Sequence, residues 1–187
     1  MDTNSILNPV GSIELNLFRF NAPEIILPDL DMKYEEPNRV LHHSAPELKG
    51  LIERMMLKMK DYDDRKMVID YKVRTLKKGS TGSALYGYHL DCTDDIHDTF
   101  EPETHLIYST IIGTSFVMNP INAVGYDSVQ HVIQNEVLTE MVAPTEMVHK
   151  YDSKVLHSSP IITHDCQRIL IRVTAGFKDR ILHNKRK

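Results

Sequence analysis

MVIDYKVRTL, residues 67–76, alternates. Met67, Ile69, Tyr71 and Val73 fall on one side of an extended chain, and Asp70, Lys72 and Arg74 on the other. A period of two is the signature of a strand with one face buried. The preceding stretch, SAPELKGLIERMMLKMKD (44–61), keeps a different period. Leu48, Leu51, Ile52, Met55, Met56 and Met59 recur at the i, i+3, i+4, i+7 spacing of a helix with one apolar stripe. Ser44 is placed to cap that helix, with Pro46 in its first turn and Glu47 completing a capping box. The acidic turn DYDD (61–64) lies where the period changes. A Met-rich stripe beside a strand reads as a helix packed on a sheet rather than as a partner groove.

Downstream the strand-like pattern repeats. ALYGYHLD (84–91), THLIYSTIIG (104–113), TSFVMNP (114–120), EVLTEMV (136–142), TEMVHKY (145–151), KVLHSSP (154–160) and QRILIRVTA (167–175) are separated by stretches carrying Gly, Pro, Asn or Asp. Upstream, residues 1–43 are punctuated by Pro and Asn and hold one short alternating run, IELNLFRF (13–20). The expectation is a mainly β protein with an N-terminal helix, its strands forming an antiparallel sandwich or barrel with helical backing. No internal repeat or Gly/Ser linker divides the 187 residues. They read as a single domain, 1–187: an N-terminal extension and supporting helix (1–65), a β core (66–176) and a basic tail (177–187).

Composition narrows the function classes. With 41% hydrophobic and 26% charged residues the chain is of ordinary globular character. A net charge of -4 gives no general attraction to nucleic acid or membrane. No apolar run is long enough to span a bilayer. Residues 1–12 lack the basic start and apolar stretch of a secretory signal, and two cysteines do not make a disulfide framework. A reducing, cytoplasmic setting is the expectation. Cys92 is expected to be a buried thiol.

The chemistry-bearing residues begin with HLD. His89 and Asp91 are two apart, so on a strand an imidazole nitrogen and a carboxylate oxygen leave the same face. His157, ending a strand-like run before a turn, is the best candidate for a third donor. Two histidines and one carboxylate on one face leave metal positions open for substrate and O2, as in non-haem Fe(II) oxygenases. Arg168 and Arg172 follow His157 by eleven and fifteen residues and share one strand face. An arginine turned inward grips a carboxylate through its planar fork.

HLD (89–91), His157 in LHSSP, and Arg168 in QRILIR, in that order, resemble the Fe(II)- and 2-oxoglutarate-dependent dioxygenases. GTSFVMNP (113–120) is similar to the Gly-containing strand turn between that family's metal motifs. The resemblance covers roughly residues 65–176. It implies a double-stranded β-helix, or jelly-roll, core. Fe(II) would be held by His89, Asp91 and His157, and the distal carboxylate of 2-oxoglutarate by Arg168, with Arg172 as the alternative. A hydroxyl partner for that carboxylate would come from Tyr108, Thr110 or Thr174. The implied reaction is hydroxylation or oxidative demethylation of an unidentified small molecule or side chain. His149 and His164 lie in the same zone as His157, but their spacing to the two arginines fits the pattern less well.

Other features read more plainly. His105 is expected to be a core or surface strand residue, and His42 and His43 to do no chemistry. The loop DCTDDIHDTFEPE (91–103) holds six acids and no Lys or Arg. It is either a solvated loop or a lid selecting a cationic or hydrogen-bond-donating substrate; it lacks the glycine of an EF-hand. The tail carries five Lys or Arg, enough for weak phosphate affinity, but no interleaved aromatics support nucleic-acid binding. Two other function classes compete: a non-catalytic jelly-roll structural or binding protein, and a cupin-type metalloprotein without cosubstrate. Cupins usually supply more histidine from the first motif than HLD does.

Overall fold

The computed structural model describes residues 5–59, 66–82, 87–91, 93, 95–99 and 101–176. In chain order these form β1 (Ile6–Leu7), β2 (Ile13–Arg19), β3 (Leu30–Glu35), α1 (Pro37–His43), α2 (Pro46–Lys58), β4 (Lys66–Leu76), β5 (Thr104–Ser109), β6 (Ser115–Val117), β7 (Ile121–Asn122), α3 (Val129–Asn135), β8 (Glu140–Val142), β9 (Met147–Asp152), β10 (His157–Ser158) and β11 (Cys166–Gly176). Every strand pairing is antiparallel. A six-stranded sheet runs β2-β9-β5-β11-β4-β3, a three-stranded sheet β10-β6-β8, and β1 pairs with β7. The described residues are mainly β with three helices. Among the described residues no helix is long and apolar enough to cross a membrane.

The alternation in β4 sorts its side chains as expected. Ile69, Tyr71 and Val73 join Ile169, Ile171 and Val173 of β11, Leu106 and Tyr108 of β5, and the stripe Leu48, Leu51, Ile52, Met55 and Met59 in one apolar cluster. The helix α2 thus covers the outer face of the large sheet. The opposite, inner face carries Asp70, Lys72 and Arg74 of β4, and Arg168, Leu170 and Arg172 of β11. There Ile107, Phe116, Tyr151, Val155 and the flanking Leu170 form a second cluster towards the small sheet. A third cluster, including Leu7, Leu90, Ile96, Val117, Ile121, Val132 and Leu156, lies around β1, β7 and α3.

Several expectations are corrected. Ser44 does not cap α2: it closes α1, and its hydroxyl donates to the Leu41 carbonyl, while Ala45 is the N-cap of α2 without a side-chain bond. The cause is α1 itself, a one-to-two-turn helix that the sequence reading left out. Three strands precede the helices, so a helix is not the first element. β3 and α3 were also unforeseen, although Ser128 caps α3 by accepting from the His131 N–H at 3.2 Å. In 136–142 only Glu140–Val142 is strand, and in 154–160 only His157–Ser158. Within 87–91 only His89 pairs, through an isolated bridge to His157. The turn 61–64, Cys92 and the tail 177–187 fall outside the described residues.

Candidate metal centre

The isolated bridge is what builds the site. The His89 N–H donates to the His157 carbonyl at 3.0 Å, and the His157 N–H returns the bond at 3.1 Å. The two imidazoles therefore sit side by side, with ring centroids 4.4 Å apart. Asp91, two residues on, reaches the same point. One ligand atom from each of His89, Asp91 and His157 lies within 4.8 Å of the others. His157 and Asp91 are buried, and His89 is half-buried.

Both rings are oriented for Nε2 to act. The Nδ1 of His157 is 2.9 Å from the Val155 carbonyl, and that of His89 is 3.2 Å from the Gly87 carbonyl. A carbonyl only accepts, so each Nδ1 carries a proton and each Nε2 is left to serve as the ligand atom. Burial, with His157 alongside, pushes the His89 pKa down to about 4, keeping it neutral at pH 7. The Nε2 of His157 lies 3.2 Å from Asp91 Oδ2. Two lone-pair donors facing each other at that distance suit a shared cation, and backbone carbonyls that fix ring orientation are a usual second layer around metal-bound histidine.

Asp91 is held from the inner wall of the large sheet. Tyr151 Oη donates to its Oδ2 at 2.5 Å, and Arg172 Nη1 pairs with the same oxygen. Arg172 is anchored in turn by Asp70, whose Oδ2 accepts from Nε at 2.9 Å and Nη2 at 2.5 Å. Asp70 Oδ1 accepts from the Tyr34 N–H at 2.7 Å, where β3 shifts register and Tyr34 adopts φ +52. Burial opposes the charge on Asp91, but Arg172 outweighs it and holds its carboxyl well below the ordinary range. Burial likewise opposes the charge on Arg172, and Asp91 and Asp70 reverse that, raising its pKa. Arg172 is therefore already matched by two carboxylates.

Arg168 is different. It is 4% exposed, and its partners are hydroxyls: Nε donates to Ser109 Oγ at 2.8 Å, and Nη1 lies 3.5 Å from Ser159 Oγ. Among the described residues no carboxylate pairs with it. Burial lowers its pKa to about 10. An uncompensated buried guanidinium is costly, and an incoming carboxylate removes that cost. Gly82 lets the guanidinium pack against the backbone, since a Cβ there would sit 1.9 Å from Nη1 and 3.0 Å from Ser159 Oγ.

The structure does not bring Tyr108 to this group. Its ring lies on the outer, helix-covered face, and its hydroxyl donates to the Phe20 carbonyl. Thr110 Oγ1 accepts from the Ile169 N–H, and Thr174 bonds His105. The hydroxyls beside Arg168 are instead Ser109 and Ser159. Ser109 pairs across the ladder with Leu170, so its position follows from strand register, which the sequence alone leaves open. His149 is spent elsewhere: its Nδ1 accepts from the Asn16 N–H and its Nε2 donates to the Pro144 carbonyl. His164 is exposed. Residues missed by the sequence reading are Asp70, Tyr151, Ser109 and Ser159. His105, expected as a core or surface strand residue, is a fully buried residue of β5, kept neutral by burial, which lowers its pKa to about 3, and stacked near Tyr151 at 4.8 Å between centroids.

No family model matches the chain, and no curated protein matches it in sequence. Solved structures do. AviO1 from Streptomyces viridochromogenes Tue57 superposes with a TM-score of 0.50 at 14% identity, over 86% of this chain and 73% of AviO1, which shows a shared fold. HygX from Streptomyces hygroscopicus, with nickel and 2-oxoglutarate bound, gives 0.47 at 12% identity, over 78% of this chain and 71% of HygX. EvdO2 from Micromonospora carbonacea var. aurantiaca, complexed with 2-oxoglutarate, gives 0.44 at 9%, over 84% of this chain and 76% of EvdO2.

Proposed function

We infer that this protein is an Fe(II)- and 2-oxoglutarate-dependent oxygenase with a double-stranded β-helix, or jelly-roll, core. The observation that carries the reading is a coincidence on one face. A His-Asp-His donor cluster is tied by Asp91 to Arg172 and Tyr151 on the inner face of the large sheet, and a buried arginine without a carboxylate partner among the described residues stands on that same face. In this reading His89, Asp91 and His157 hold the iron. Arg168, with Ser109 and Ser159, takes the distal carboxylate of the cosubstrate. Iron and 2-oxoglutarate together supply O2 activation, yielding succinate, CO2 and an oxidised substrate.

The chain's own residues have separable tasks. The Val155 and Gly87 carbonyls keep both imidazoles in the metal-binding tautomer. Arg172 and Tyr151 hold Asp91 through its Oδ2, and Asp70 keeps Arg172 from leaving the sheet. The rings of Phe116, Tyr151 and His157, with centroids 5.1–6.0 Å apart, shield one side of the cluster from water. A structural or binding jelly roll has no need of an unmatched buried guanidinium beside such a cluster. A cupin-type site without cosubstrate leaves Arg168 equally unexplained.

An anaerobic titration with Fe(II) and then 2-oxoglutarate tests the reading. A visible metal-to-ligand charge-transfer band should require both additions and should vanish in His89→Ala. A folded protein that develops no band would sink it.

A further inference from the structure

The inner wall holds a further cation that the site does not use. Lys72 of β4 stands in register with Leu170 of β11 and Asp31 of β3. It is half-buried, and it shares a face with Asp70, two residues along the strand, or about 7 Å away. The charges that act on it are those of Asp70, Arg172, Asp31 and Arg74. Both carboxylates are taken. Asp70 receives Arg172 and the Tyr34 N–H, and Asp31 is paired with Arg74. Among the described residues Lys72 makes no ion pair. Burial lowers its pKa, so the ammonium is under pressure to find an anion.

Lys72 is not placed to share the carboxylate of Arg168. The guanidinium of Arg168 turns to Ser109 on β5 and to Ser159, whereas Lys72 lies on the opposite flank of β11. The acidic loop after Asp91 does not reach Lys72 through its described residues. His97 there bonds Ser5 and the Tyr126 carbonyl, and the Asp98 carbonyl accepts from Lys154. None of those three partners is in the six-stranded sheet.

We propose that Lys72 is a specificity-determining residue: the substrate carries an anionic group, carboxylate or phosphate, that Lys72 receives beside the Asp70–Arg172–Asp91 chain. The proposal rests on the oxygenase reading and names the substrate class of that site. Lysine suits the role as a compact point charge able to follow a ligand of unfixed geometry.

The test has two arms. In the first, succinate formation at saturating 2-oxoglutarate is screened with organic acids against their primary amides, and with phosphate monoesters against the parent alcohols. Only the anionic member of a pair should stimulate turnover. Lys72→Gln should raise its KM by about tenfold or more, Lys72→Arg by much less, and the KM for 2-oxoglutarate should stay unchanged. Equal stimulation by neutral members, an unaffected KM in Lys72→Gln, or a raised KM for 2-oxoglutarate would each overturn the proposal. In the second, the lysines of the full chain are 13C-methylated, and the Lys72 NMR signal, assigned by its loss in Lys72→Arg, is followed with 2-oxoglutarate and Ni(II) present. Acetate and inorganic phosphate should shift that signal, and acetamide should not. No shift with either anion overturns the proposal without turnover. An absent charge-transfer band with a shifting Lys72 signal would fault the oxygenase reading and leave the anion site standing.

Discussion

At the scale of single residues, the two arginines of β11 show how one strand face can assign opposite roles. Arg168 and Arg172 are identical in type, share a face and are both buried. What separates them is their cross-strand neighbours. Arg172 stands opposite Asp70, and Arg168 stands opposite Arg74. The first arginine to meet a carboxylate becomes structural, and the other is left to a ligand. Replacing Arg168 with Ala should therefore raise the KM for 2-oxoglutarate by about ten- to a hundredfold, from loss of charge-assisted hydrogen bonds. The unliganded protein should melt no lower, because an uncompensated buried charge is removed. Lysine at 168 should rescue poorly, for want of the planar fork. Steady-state kinetics beside thermal melts check all three. A fall in melting temperature with an unchanged KM would show that Arg168 is a structural residue instead.

At the scale of elements, α2 holds the large sheet in shape. Leu48, Leu51, Ile52 and Met55 are 0% exposed, and they meet Ile69, Tyr71, Ile171 and Val173 in one cluster. Those four lie on the outer face of the two strands whose inner face carries Asp70, Arg168 and Arg172. Leu51→Ala should cost about 2–5 kcal/mol, from lost burial and a residual cavity. Chemical denaturation would measure it. The 89–91 segment is held in the opposite manner. Among the described residues its only backbone pairing is the His89–His157 bridge, and side chains do the rest. The turn after β5 is also tightly set: a Cβ at Gly113 would meet the Ala143 carbonyl oxygen at 1.7 Å, and Ile112 adopts φ +54. That turn places Ser109, whose hydroxyl meets the Ile111 and Ile112 carbonyls as well as Arg168.

For the molecule as a whole, stability should carry a pH signature from a carboxylate away from the metal cluster. Burial raises the Asp152 pKa from 3.8 to about 6. The sign follows from linkage: a folded-state pKa above the unfolded one favours the protonated folded form. That contribution is full below about pH 4 and is lost as pH rises through 6. Asp152→Asn should therefore flatten the stability profile between pH 4 and 6. It should also stabilise the protein at pH 7 on the order of 1 kcal/mol, after discounting for partial exposure. Asparagine keeps an oxygen for the Lys154 N–H, now 2.9 Å from Asp152 Oδ1. Urea midpoints of both proteins across that range would decide it, and parallel profiles would refute the assignment.

Local pattern was enough for much of this. The period of 3.6 in 44–61 and of two in 67–76 are properties of neighbouring residues, so the helix, the strand and the buried face of each could be read directly. The same holds for His89 and Asp91, whose two-residue spacing puts both side chains on one side where the backbone is extended. Short-range pattern could not supply register. Which residue faces Arg168 and which faces Arg172 depends on how strands far apart in the chain align, and a slip of one residue would exchange every partner. Asp70, Tyr151 and Ser109 reached the site by that route, and Tyr108 was excluded from it by the same alternation, seen from the other face. Ser44, the apparent cap of one helix, became the end of another for a related reason: α1 is short, and tertiary contact with β3 and β4, rather than intrinsic propensity, keeps it helical. Spacing along the chain thus set which residues could act together. Only the alignment of the strands decided which charges were matched internally and which were left for a ligand, because ion pairing depends on distance in space.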